Sequence, residues 1–427
     1  MRTAMFGGSF NPIHNGHIDI AAEVREKYSL DRVLFMVAND PPHKKIADGV
    51  KADVRYEMTR LALENHGDLE PCDLELKRQG KSYTVDTLEI LHEMYPEDRI
   101  FCIVGADMLL GIDTWYNAPE LLKRAEFIAV GRPDSGGEAA MNEKVKALEA
   151  DYGAKVYISG IVGPDISSTA IRERVEDWRP ITDLVPLKVA EYIYQNGLYF
   201  PEDTEKIRQR LKADLKPTRY AHTMRVMMKS IELADKYDVD RKKAALAGLL
   251  HDCAKLTPEK QYELAKEYGL DVSSMAQPII HGPLGAVRAR RVFGITDNDV
   301  LSAIGCHTTC KSHMTALDKI VYLADKIEQG RIYDGVEDIR RETDENLDRG
   351  MVCCIEHAID HVEREKKGKI TPETYIALNE IIKETGPDHD KTFTAEVKLN
   401  GKVLATGEGK TKKQAEMNAA DKALKNL

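Results

Sequence analysis

Along the first part of the chain, short apolar runs alternate with stretches whose apolar residues recur every three or four positions. The runs are RTAMF, RVLFMVA, RIFCIVG, EFIAVG and AKVYIS, each followed by a loop and a helix-compatible segment such as HIDIAAEVREKY. This alternation predicts a parallel α/β sheet over residues 1–200. Ligands of such sheets bind at the carboxyl ends of the strands, and Gly7-Gly8 follows the first run. From 203 to 384 the period is helical almost throughout, as in TMRVMMKSIELADKY, RKKAALAGLLHDCAKL and LDKIVYLADKIE. An all-α domain is predicted there, with Pro201 and its flanking acids at the boundary. Over 385–427 the pattern changes again. KTFTAEVKLNGKVLATGEG reads as two strands joined at Asn400-Gly401, and KTKKQAEMNAADKALKNL as a helix, making a small α+β tail.

Composition narrows the class. A chain of 427 residues exceeds one ordinary core, and 42% hydrophobic with 31% charged residues is a globular balance, so a multidomain protein is expected. The net charge of -10 disfavours nucleic-acid binding by the chain as a whole, while the tail carries eight lysines against six acids. No segment approaches the roughly 18 apolar residues of a membrane span, and the N-terminus enters a strand-like run rather than a signal peptide. The expectation is a cytoplasmic protein with no membrane partner. Seven cysteines, an odd count, are expected to be reduced, with Cys353 and Cys354 as helix packing.

The string GGSFNPIHNGH, residues 7 to 17, carries the first candidate chemistry. Glycines at 7 and 8 let backbone amides approach an anion, and a helix starting near Asn15 or Gly16 would aim its dipole at the same spot. His14 and His17 would then stand beside phosphate. A metal reading lacks a third ligand and the i, i+4 spacing; two surface histidines in a turn are the plain alternative. With ISSTAIR at 166–172, the string resembles the nucleotidyltransferase α/β superfamily, marked by H-x-G-H and S-S-T-x-I-R. The resemblance implies a Rossmann-like fold in which His14, His17 and Arg172 are catalytic and stabilise the α-phosphate of ATP without a covalent intermediate. Mg²⁺ would arrive with the nucleotide. The same resemblance implies ATP contacts from Gly7, Gly8, Ser9, Phe10, Asn11, His14, His17, Gly105, Asp107, Ser167, Ser168, Thr169 and Arg172.

PPHK (41–44), SYTVDTL (82–88), VGADML (104–109) and DTWYNAPELL (113–122) are similar to bacterial nicotinate mononucleotide adenylyltransferase, over roughly residues 1 to 200. By that likeness Thr84 and the Trp115-Tyr116 pair would hold the nicotinate ring and its carboxylate, and Lys44 would reach phosphate. Pantetheine-phosphate adenylyltransferase is the competing likeness, and would not be expected to carry the SYT and WY segments.

In the helical stretch His222, His251-Asp252, His281, His307 and Asp325 interrupt otherwise apolar patterns. Burying an unpaired Asp252 would cost several kcal/mol, so a cation is a natural partner. The order H…HD…H…H…D resembles the HD-domain metal-dependent phosphohydrolases. The surroundings HDCAK, IIHGPLGA, CHTT and LDKIVYLADKIEQGR look like the subgroup that cleaves diadenosine tetraphosphate symmetrically to two ADP. The resemblance implies that His222, His251, Asp252 and Asp325 hold one metal, and His281 and His307 with bridging Asp252 a second. Lys255 would bind substrate phosphate. The ligand chemistry suits transition metals, with iron named first and manganese or zinc as alternatives. The run Cys306, His307, Cys310, His313 matches no common closed zinc site. An HD domain that keeps its ligands as an inactive scaffold is the other reading.

The tail is similar to the later part of the double-stranded RNA-binding domain of ribonuclease III. That likeness implies that His389 enters a minor groove and that Lys412 and Lys413 face phosphates, with NEIIKE supplying a first strand and double-stranded RNA as the partner. The alternatives are a docking remnant, or RNA binding as the chain's distinctive role. GEGKT is no P-loop, because Leu404 stands where that motif needs glycine.

Overall fold

The computed structural model describes residues 1–39, 49–78, 80–131, 138–365, 370–385, 393–399, 402–409, 418–420, 422–423 and 425. It divides into two compact units, Met1–Arg210 and Leu211–Leu427.

The first unit runs β1 (Arg2–Gly8), α1 (Asn15–Lys27), β2 (Arg32–Val37), α2 (Ala52–Leu63), β3 (Leu69–Cys72) and α3 (Thr84–Met94). There follow β4 (Arg99–Gly105), α4 (Ala106–Leu110), α5 (Ala118–Arg124), β5 (Glu126–Gly131), α6 (Glu138–Tyr152) and β6 (Lys155–Val162). α7 (Ser168–Glu176) and α8 (Leu187–Asn196) complete it, and α9 (Glu202–Asp214) contains the division. The strands form one sheet in the order β3-β2-β1-β4-β5-β6, and every pairing is parallel. Strand order reverses between β1 and β4, the crevice where open α/β sheets bind ligands.

Period-two alternation sorts the strands. Met5, Leu34, Met36, Cys102, Val104, Phe127 and Val156 join a core with Leu88, Leu91 and Leu121 from α3 and α5. The alternate positions Phe6 and Phe35 stack edge-on, 5.4 Å between centroids, and reach Phe10 and His17. β3, LEPC, is absent from the runs singled out in the sequence. It is short, carries Pro71 and Glu70, and among the described residues pairs only with β2, an edge position that tolerates a missing donor.

The second unit contains α10 (Pro217–Lys236), α11 (Arg241–Leu250), α12 (Pro258–Tyr268), α13 (His281–Phe293) and α14 (Asn298–Cys306). It continues with α15 (Ala316–Ile327), α16 (Val336–Glu345), α17 (Leu347–Glu365), α18 (Pro372–Thr385), β7 (Phe393–Leu399) and β8 (Lys402–Gly409). The helices start where the chain supplies caps. Asp240 accepts the Lys243 N–H, Asp297 those of Asp299 and Val300, and Thr315 with Asp318 forms a reciprocal capping box at α15. α15 is buried on nearly every face, which takes Asp318 and Asp325 inside with Leu317, Ile320 and Val321. Cys354 is buried and Cys353 half-buried on α17, and all seven cysteines are free.

β7 and β8 pair antiparallel, as the hairpin pattern predicts; Asn400-Gly401, His389, Lys412 and Lys413 lie outside the described residues. NEIIKE is not a strand but part of α18. Its buried residues Thr374, Ala377 and Ile381 are spaced three and four apart, which only a helix places on one face. Among the described residues no helix is long and apolar enough to cross a membrane.

Candidate functional site

In the first unit, β1 ends at Gly8 and the chain turns through Phe10, at φ 45°, before α1. A Cβ on Gly8 would meet the Phe10 ring at 2.8 Å, so the turn requires glycine there. Gly7 has nothing within 4 Å of the place a Cβ would take, which leaves its backbone open to a ligand. His14 caps α1, and its ring stacks on His17 with centroids 3.6 Å apart. The His14 backbone N–H donates to Nδ1 of His17 at 3.3 Å, leaving Nε2 as the donor end of that imidazole.

α7 is sewn onto this loop. Ser168 Oγ donates to the Pro12 carbonyl at 2.8 Å, and Arg172 Nη1 donates to the Asn11 carbonyl at 2.9 Å. Thr169 Oγ1 accepts from Arg172 Nη2 at 3.2 Å, while Ser167 caps the helix through the Ala170 N–H. Gly105 and Asp107 lie at the carboxyl end of β4, the neighbour of β1 at the strand reversal.

At the other candidate pocket Thr84 opens α3, and Tyr83 before it stacks on Tyr116 with centroids 4.4 Å apart. Trp115 packs against the core and Tyr116 is largely exposed. Lys44 lies outside the described residues.

In the second unit the predicted ligands converge from α10, the ends of α11 and α14, the start of α13, and α15. Asp252 sits between two groups. Its Oδ2 lies 3.4 Å from His251 Nε2 and 4.0 Å from His222 Nε2; its Oδ1 lies 3.2 Å from His281 Nε2 and 3.8 Å from His307 Nε2. Asp325 Oδ1 is 3.0 Å from His222 Nε2 and 3.9 Å from His251 Nε2. His251 and His307 use one local device. Each follows the last turn of an apolar helix and donates Nδ1–H to the carbonyl three residues back, Gly248 or Ile304, at 2.7 Å. Both Nε2 atoms are thereby aimed inward. Lys255 Nζ stands 3.1 Å from His281 Nδ1.

Burial opposes charge on Asp252, yet His251, His281 and His307 hold its carboxyl well below the usual range. Asp325, also buried, is held low by Lys326, His222, His251 and Arg331. Burial pushes His281 down to about 4 and lowers His307, so both imidazoles are neutral ligands at neutral pH. His222, Asp325 and His251, and likewise His251, Asp252 and His307, bring ligand atoms within 4.8 Å of one another. The Nε2 of His251 is fully buried and makes no hydrogen bond. An inward-facing lone pair among carboxylates suits a divalent transition metal.

Three family models match the chain: Cytidylyltransferase-like over residues 5–174, HD domain over 219–330, and Double-stranded RNA binding motif over 371–427. A "Probable nicotinate-nucleotide adenylyltransferase" of Carboxydothermus hydrogenoformans is 40% identical over 199 residues, 46% of this chain and 98% of the relative. The chain belongs to the nicotinate-nucleotide adenylyltransferase family. A further member, from Clostridium tetani, is 34% identical over 198 residues, 98% of its length. Among solved structures, a "predicted HD superfamily hydrolase involved in NAD metabolism" from Clostridium acetobutylicum is similar at 37% identity and a TM-score of 0.39. It covers 42% of this chain and 97% of its own. The RNA-binding match begins at 371, so it takes in α18, ahead of the boundary expected at 385.

In the half that carries this adenylyltransferase family, Gly16 was named only as the helix start and motif glycine, and Arg55 and Tyr199 were not singled out by their sequence. A Cβ on Gly16 would come within 3.2 Å of His14 Nδ1, so this glycine makes room for the histidine. Arg55 is 1% exposed and donates to the carbonyls of Ser9 at 2.6 Å and Ala38 at 2.7 Å, joining the loops that leave β1 and β2. Tyr199 donates to Asn11 Oδ1 at 2.7 Å. In the helical unit Arg219, Arg331 and Glu328 were passed over. They bond Asp252, Asp325 and His222, and nothing in a charged residue near a helix end signals such a partner.

Proposed function

We propose that the first unit transfers the adenylyl group of ATP to nicotinate mononucleotide, giving nicotinate adenine dinucleotide and pyrophosphate, a step of NAD biosynthesis. The junction of the two motifs carries this reading: Ser168 and Arg172 grip the carbonyls just ahead of His14. A phosphate oxygen of the mononucleotide attacks the α-phosphorus, a new P–O bond forms, and the bond to the leaving pyrophosphate breaks in line. His17 donates from Nε2 to the charge that develops, with His14 and Arg172 as further donors and Mg²⁺ on the nucleotide. Thr84, Trp115, Tyr116 and Lys44 select the acceptor. The names of the relatives support nicotinate mononucleotide. Purified protein is expected to form the dinucleotide from ATP and nicotinate mononucleotide; turnover of 4′-phosphopantetheine instead would move the assignment to the competing acceptor.

The helical unit reads as a metal-dependent phosphohydrolase, with diadenosine tetraphosphate cleaved to two ADP as its reaction. The ring of His222, His251, Asp252, His281, His307 and Asp325 supports it. When bound, divalent ions supply Lewis acidity toward phosphate and water. The chain's residues hold them, and Lys255 faces substrate phosphate. The test measures transition metal per chain and the products: two ADP supports the symmetrical cut, ATP plus AMP rejects it, and bound metal without hydrolysis marks a scaffold.

The match over 371–427 supports binding of double-stranded RNA by the tail. Binding at low salt that is lost when 371–427 is removed is the expected result; no binding at low salt rejects it.

A further inference from the structure

The four candidate ligand imidazoles of the helical unit, His222, His251, His281 and His307, differ in what stands at Nδ1. His251 and His307 donate Nδ1–H to backbone carbonyls. His222 donates to a carboxylate, Glu328 Oε1, at 3.0 Å. Glu328 is 1% exposed, and it is itself fixed by Arg225 Nε at 2.6 Å and by the Gly330 N–H. His281 has the opposite neighbour, the Lys255 ammonium, 3.1 Å from Nδ1 and 3.5 Å from Nε2.

These neighbours act in opposite directions on a ligand. A carboxylate behind Nδ1 fixes the tautomer and the ring plane and makes Nε2 a stronger donor. An ammonium can only donate, so it occupies the Nδ1 lone pair, leaves the ring proton on Nε2 facing Asp252 at 3.2 Å, and draws electron density away. Before His281 can ligate, Lys255 must move away from its ring nitrogens. Both carboxyl groups already carry cations: Arg219 on Asp252 at 2.9 Å, and on Asp325 both Arg331 at 2.6 Å and Lys326 at 2.5 Å, with Arg331 also 3.4 Å from His222 Nε2.

We propose that the two metal positions are unequal: His222, His251 and Asp325 form a tight one through the positioning residue Glu328, and His281 and His307 with Asp252 form a loose, exchangeable one gated by Lys255. This rests on the metal-centre reading of the helical unit. In the tight position Glu328 and Arg225 hold the His222 ring before an ion arrives, so the ring itself needs little further ordering. In the loose position binding must first displace Lys255, and a substrate phosphate that attracts the ammonium would favour filling.

The probe is Mn²⁺ added to metal-free full-length protein, with the free ion followed by electron paramagnetic resonance. Wild type is expected to show two classes of site with dissociation constants at least about tenfold apart, and Glu328→Gln to weaken the tight class about 10–100-fold while the weak class stays in place. Lys255→Met is expected to tighten the weak class alone. Two equal sites in wild type, or a Glu328→Gln variant that shifts both classes together as a merely structural residue would, overturns the proposal. If Glu328→Gln does not fold, Lys255→Met decides, and an unchanged weak class overturns the gate. No bound Mn²⁺ at all fails differently: it removes the metal centre itself.

Discussion

His17 shows how a single hydrogen bond assigns a chemical role. Because its Nδ1 accepts the His14 backbone N–H, the ring proton is on Nε2, facing away from the helix cap. His17→Ala should lower kcat for dinucleotide formation by about 10²–10³-fold, the loss of one transition-state donor, with only a small drop in melting temperature from the lost cap and ring contacts. Glu75 offers a test of the opposite kind. It is 6% exposed, accepts from Thr87 Oγ1 at 2.8 Å, and burial pushes its pKa up despite that bond and one from Ser82. A raised carboxyl favours the fold fully only below its unfolded value of 4.5, and that contribution is lost as pH rises through the folded value. Glu75→Gln should therefore raise the melting temperature at pH 7, with the gain shrinking toward pH 4.5; thermal unfolding across that range checks it. The histidines and aspartates of the helical unit were legible because they break apolar patterns. Arg55 and Glu328 were not, since a charge in an amphipathic helix or at its end is ordinary until its partner is known.

At the scale of elements, the candidate sites depend on helices brought into close contact. Gly248 on α11 faces α10, where an added Cβ would meet Ser230 Oγ at 2.7 Å and Met227 Cα at 3.0 Å. The same glycine supplies the carbonyl that orients His251. Gly248→Ala should cost about 1–3 kcal/mol in a denaturant titration and should lower metal content as well, because the Met227 backbone and the short Ser230 side chain leave little room to yield. Arg55→Leu strips the partly buried carbonyls of Ser9, Ala38 and Val50 of their donor, and should destabilise the first unit by about 3 kcal/mol. Elements were legible where their period was pure. β3 was missed because proline and an edge position mask a strand, and the residues NEIIKE were misread because a short apolar pair fits either period until burial at 374, 377 and 381 selects the helix.

For the whole molecule, the two compact units lead to a separation experiment. Fragments 1–200 and 203–427 are expected to retain adenylyl transfer and hydrolysis respectively, each measured on both substrate pairs. Chelation followed by added Mg²⁺ should restore the first activity and leave the second lost until a transition metal returns. A fragment that gains or loses the other's activity would refute this division of labour.

By itself the sequence determined the class of each region and the residue types that stand out in it. Periods of two and 3.6 are written locally, and GGSFNPIHNGH, ISSTAIR and HD are contiguous strings. Only the tertiary structure decided which of those strings meet. Ser168 reaches Pro12 across 156 positions and His222 reaches Asp325 across 103, and the same packing put Glu328 behind one imidazole and Lys255 behind another. Periodicity reports the face a residue turns to the core. The partner it finds there depends on how separate elements pack, and no local spacing records that.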